Sequence, residues 1–204
     1  MQIKFQKIRQ LNITIIFTDI DYSPITAQIM RKIFDLSEEE EKSSPFLELS
    51  PGIKILNIPS RKKEIIFEKK RLQINDYSSR ETEKSELIKY SKIALNNLTD
   101  KTKITAYGFN YDVEVETNKK INFKKFFGHA FIRSLQGSSI KKGGIRATFN
   151  KESKQYDLGI SPIEDTKLLF HLNIHYSSEK ISFTNLQKEL NKNYSILVKI
   201  IEKI

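Results

Sequence analysis

The sequence predicts an α+β protein built from two like halves, residues 1–100 and 101–204, each running strand, helix, three strands, helix. The halves are expected to join edge to edge into one curved antiparallel sheet with helices on its convex face, leaving a polar concave surface. Two observations predict this. Apolar residues recur with a helical period in four segments and with a period of two between them. The order of elements then repeats after roughly one hundred residues, although residue identity between the halves is poor.

Taken in order, residues 12–18 read as a strand, with Ile13, Ile15 and Phe17 on one side and Asn12, Thr14 and Ile16 on the other. A helix is expected from Ser23, with Pro24 as its first residue and Ile25, Ile29 and Ile33 on one face. The run EEEEKSSP (38–45) reads as a polar, solvated loop. Three short strands follow at Gly52–Ile58, Glu64–Phe67 and Arg71–Asp76, the last two joined by a turn at Glu68–Lys70. Leu87, Ile88, Ser91, Ala94, Leu95 and Leu98 form one stripe of a helix over 79–98, with Ser78 and Glu81 at capping-box spacing. The second half repeats the scheme. Tyr107, Phe109, Tyr111, Val113 and Val115 alternate with Gly108, Asn110, Asp112 and Glu114. Phe123, Phe126, Phe127, Ala130 and Phe131 suggest a helix at 122–135, and 144–150, 155–160 and 167–176 suggest strands. The closing helix shows Phe183, Leu186, Leu190, Tyr194, Leu197, Val198 and Ile201 on one face.

Composition narrows the functions open to such a fold. The chain holds 35 Lys and Arg against 25 Asp and Glu, a formal net charge of +10, which favours an anionic partner and nucleic acid first. Thirteen Phe and 38 % hydrophobic residues are enough for a core. The absence of Cys removes disulfides, zinc ribbons and thiol catalysis. No apolar run approaches the ~18–20 residues of a membrane span, and MQIKFQKIRQ has no apolar leader, so neither a membrane partner nor a secretory signal is expected.

The segment 51–98 carries a resemblance. Pro51-Gly52-Ile53, Ile65-Ile66-Phe67, Lys70-Arg71-Leu72 and the 79–98 helix occupy slots similar to those of the TATA-box-binding protein family. Counting on from Phe67 brings Asn110, Ile121-Asn122-Phe123 and Gly143 onto further positions of that pattern, and LQKELNKNYSILVKI resembles its closing helix. The resemblance implies a saddle lying on the minor groove of duplex DNA, with transcription factors or RNA polymerase subunits on the convex face. It thus implies an intracellular transcription initiation factor that is not an enzyme, needs no cofactor and works in the nucleus or at a site of viral transcription. Lys-, Ile- and Asn-heavy usage with lost wedges suits a fast-evolving lineage such as a large DNA virus. The resemblance assigns base-edge contacts to Asn12 and Asn110, a wedge to Phe67 with Ile65 beside it, the groove floor to Gln73 and Asn75, and phosphates to Arg71 and Lys167. Ser50, Lys142 and Ile160 stand where the family has its other wedges. Independently, alternation places Asn12, Thr14, Gln73, Asn75 and Asn110 on the non-core side, with His171, Asn173 and His175 lining the same polar face.

Other constellations read as structural. His171 and His175 have metal-like spacing, but on a strand four residues span ~13 Å, too far for one ion. SSIKKGG (138–144) lacks the spacing of a phosphate-binding loop. Two other functions remain: a protein-binding adaptor that has given up DNA, and a small nuclease using Asp19 with Asp21 or Asp112 with Glu114.

Overall fold

A computed structural model of the chain describes residues 3–50, 52–121, 143–152, 154–177 and 183–203. Nine strands, β1 (Ile3–Phe17), β2 (Phe46–Ser50), β3 (Ile53–Ile58), β4 (Lys63–Glu68), β5 (Arg71–Asp76), β6 (Ile104–Thr117), β7 (Ile145–Lys151), β8 (Lys154–Glu164) and β9 (Lys167–Ser177), form one antiparallel sheet. Their order is β2-β3-β4-β5-β1-β6-β9-β8-β7, in which β5-β4-β3 and β9-β8-β7 match outward from the β1–β6 pair and β2 is added at one edge. Among the described residues the helices are α1 (Ala27–Ile33), α2 (Glu38–Ser43), α3 (Leu87–Leu98) and α4 (Phe183–Lys203).

The expected α+β class, a saddle of two strand–helix–strands–helix halves packed by helices, is corrected here. The chain forms a mostly β structure, a single nine-stranded antiparallel sheet with a few short helices. β1, β6 and β8 outgrow their expected lengths and α1 and α3 fall short of theirs, while α4 spans its expected range. β1 begins at Ile3 because it has a partner along its whole length, β6, while β5 pairs only with its second half. β2 was not foreseen at all. α1 starts three residues later than expected, capped by Thr26, whose hydroxyl accepts from the Ile29 amide at 3.3 Å. α3 starts only at Leu87, because Ser85 is held by Asp76 at 2.6 Å and accepts from the Leu87 amide at 3.2 Å. The acidic run is helical, not loop. Ser37 and Glu40 bond reciprocally as a capping box, and four glutamates complement the positive end of α2. The helix expected at 122–135 and most of SSIKKGG lie outside the described residues.

One face of the sheet carries the core. Ile65, Ile74, Ile13, Phe109, Ile174 and Tyr156 line up across β4, β5, β1, β6, β9 and β8 and are all buried. α3 and α4 close over this face through Leu87, Leu95, Leu190 and Leu197. Two tyrosines of β6 fix α4: Tyr111 donates to the Leu190 carbonyl at 2.9 Å and Tyr107 to Glu189 at 3.0 Å. Beneath α3, Lys63 and Asp76 form a buried ion pair at 2.9 Å, with Ser85 as a further donor to Asp76. Removing one member would strand the other as a buried charge, a loss of about 3–5 kcal/mol.

Candidate functional site

The opposite face carries no described helix. Its residues are half-exposed or bonded to each other, as expected of an antiparallel sheet with one solvated side. Pairing aligns one polar residue from each of eight strands into a row: Asn57, Glu64, Asn75, Asn12, Asn110, Asn173, Asp157 and Thr148. At ~4.8 Å per strand the row spans about 34 Å, close to one turn of B-DNA.

The four central asparagines come from β5, β1, β6 and β9. Asn110 Nδ2 donates to Asn12 Oδ1 at 2.6 Å, Asn12 Nδ2 to Asn75 Oδ1 at 2.5 Å, and Asn75 Nδ2 to Glu64 Oε2 at 2.8 Å. Thr14 and Gln10 donate to the Asn12 and Asn75 oxygens, each at 2.9 Å. Tyr77 donates to Glu64 at 3.1 Å; burial first, then the Glu64 charge, push its phenol up to about 12, so it stays a donor.

The carboxylates Asp112, Glu114, Asp157 and Glu68 of this face pair with basic side chains. Asp112 bonds His171 at 2.5 Å, Glu114 takes Arg9, Asp157 takes Arg146 and Glu68 takes Arg71 at 2.7 Å. The Asp112 contact raises the His171 pKa above its ordinary 6.5, against the opposing effect of burial. The Arg146 guanidinium holds Asp157 below the usual carboxylate range. A glycine is required at Gly108, where a Cβ would stand 2.9 Å from the Ile174 carbonyl of the neighbouring strand.

Of the residues singled out from the sequence, Asn12, Thr14, Arg71, Gln73, Asn75, Asn110 and His171 share this face. Lys167 sits at its end, paired with Glu164 at 2.8 Å. Asn12 and Asn75 are 5 % and 4 % exposed, so their amides hold neighbouring side chains instead of presenting free edges. Thr14, Arg71, Gln73 and Asn110 remain half-exposed. Phe67 and Ile65 are corrected outright. Both are 0 % exposed and face the helices, because Phe67 pairs with Leu72 and Ile65 with Ile74 on the core side. No wedge can come from either. The outward residue between them is Ile66, beside Ile55 and the exposed Leu47 and Leu49 of β2.

Glu64, Tyr77, Gln10 and Arg146 escaped the sequence reading. For Glu64 a signal existed: a two-residue turn after Glu68 forces Glu64 opposite Asn75. Among the described residues no His, Asp and Glu side chains are grouped to hold a metal ion, and no helix is long and apolar enough to cross a membrane. No protein-family model and no curated protein matches the chain.

Proposed function

We propose that the protein binds duplex DNA on the open face of its sheet. The observation that supports this best is the polar row across eight strands, left uncovered by the described helices in a chain of net charge +10. Amide side chains suit the minor groove, where Asn and Gln read the A·T-against-G·C pattern. Half-exposed Asn110, Gln73 and Thr14 meet the base edges, while Asn12 holds Asn110 and Thr14 from beneath. Arg71 and the exposed Lys69 and Lys70, at the β4–β5 turn, meet phosphate. The sequence likeness to TATA-box-binding proteins makes promoter DNA the first ligand to test, and transcription factors or polymerase subunits the first partners for the helix-bearing face.

Because the face pairs most of its own charges, binding leans on few phosphate contacts. Anisotropy of labelled A/T-rich and G/C-rich duplexes across a salt series tests this. Arg71→Ala is expected to weaken both duplexes alike and to lower the salt slope by about 1. Asn110→Ala is expected to erode the A/T preference several-fold. Absence of salt-dependent binding, or affinity indifferent to both changes, overturns the reading. One observation favours a protein partner instead: Leu47 and Leu49 are 45 % and 63 % exposed beside Ile55 and Ile66. In that case Leu49→Asp would abolish partner binding, and DNA would not bind at all.

A further inference from the structure

The row has a symmetry that its hydrogen bonds do not share. Outward from the β1–β6 seam, Asn12 matches Asn110, Asn75 matches Asn173, and the carboxylate Glu64 matches the carboxylate Asp157. A line of primary amides can bond in either direction, since each carries both donors and an acceptor and fits its space equally well when turned over. An ionised carboxylate has no such choice. It only accepts, so the amide beside it must donate, and every amide further along must then donate the same way.

Glu64 lies at one end of the bonded run Glu64–Asn75–Asn12–Asn110, and all three amides donate toward it. At the matched position on the other side, Asp157 is held by a cation. Arg146 occupies Asp157, with Nε at 2.9 and 3.1 Å from its two oxygens and Nη2 on the second. Among the described residues Glu64 has no such cation; it takes the Asn75 amide and the Tyr77 hydroxyl. We infer that Glu64, an acceptor-only group at the end of the bonded run, sets the direction of the Asn75, Asn12 and Asn110 amides. Gln10 and Thr14 follow that direction, because an amide and a hydroxyl can each turn to donate or accept.

The consequence is that matched residues become unequal. The Asn12 oxygen is covered by donors from Asn110 and Thr14, whereas the Asn110 oxygen is the acceptor end of the row. A sheet whose strand order would accept a duplex in either of two orientations thereby presents different chemistry on its two sides. Glu64 is a positioning residue for orientation, a role that rests on the DNA reading above; the direction of the row does not.

Side-chain amide NMR of the full chain tests the direction. In the native protein Asn12, Asn75 and Asn110 should each give one set of Nδ2 signals with one slowly exchanging proton. Glu64→Gln can both donate and accept, so it should double or broaden the signals of Asn12 and Asn110, two and three strands from the change. Changes confined to Asn75 in Glu64→Gln would overturn the inference. Energy transfer from one end of an asymmetric duplex to a labelled protein reads orientation: one value for the native protein and a mixture of two for Glu64→Gln. A duplex that does not bind at all defeats the DNA reading alone, and the NMR result still decides the direction.

Discussion

Phe67 has Leu72 opposite it on β5 and Lys54 opposite it on β3, and none of its surface reaches water. Its ring is a packing element, and truncation leaves a void under the helices. Phe67→Ala should cost about 3–5 kcal/mol of stability, read from the denaturant midpoint, with no loss of ligand affinity once refolded protein is measured. An unchanged midpoint would return Phe67 to the surface. This residue also shows where the sequence was legible. Leu72 and Ile74 against Gln73 and Asn75 declare their faces, and the two-residue turn then assigns Phe67 and Ile65 inward. The run Ile65-Ile66-Phe67 is apolar at every position, so alternation within β4 by itself cannot choose a side.

At the scale of elements, α2 is short and has no buried residue, so burial cannot hold it. Arg61 does so instead. Its guanidinium donates to the Phe34 and Asp35 carbonyls at 2.8 and 2.7 Å, to Tyr90 at 3.1 Å, and to Glu40 of α2 at 2.7 Å. The bond from Arg61 lowers the Glu40 carboxyl from 4.5 to about 2. A carboxyl depressed in the folded state stabilises above its unfolded pKa and ceases to do so as pH falls through the folded one. The contribution of this clamp is therefore whole above pH 4.5 and lost on acidification toward 2. Thermal unfolding at pH 6, 4 and 3 should show that Glu40→Gln is less stable by about 1–2 kcal/mol at pH 6 and converges on the native protein in acid. Parallel curves at all three values would contradict the clamp. The acidic run reads as a loop from composition; Ser37 and Glu40 carry a local capping signal for it, but the Arg61 clamp lies on another element.

For the whole molecule, the seam between β1 and β6 carries Ile13 against Phe109 and Ile15 against Tyr107, so one hydrophobic cluster runs through both halves. Neither half buries its central strand without the other. Unfolding should be a single transition with equal calorimetric and van't Hoff enthalpies. Ile13→Ala should shift that transition as a unit by about 2–5 kcal/mol. Two resolved transitions would mean that the halves are independent.

Residues on each long strand were sorted between core and solvent by the sequence itself, because alternation is a local property of an extended chain. The stripes of α3 and α4 and the excess of positive charge were legible for the same reason. Alignment of Asn75, Asn12, Asn110 and Asn173 into one row was decided only by the tertiary structure, as was the partner of each carboxylate. Asn12 and Asn110 lie 98 residues apart and meet through strand pairing, whose register is set by turns, bulges and neighbours. Pairing is a long-range choice, and on this face it determines which polar groups are held and which remain for a partner.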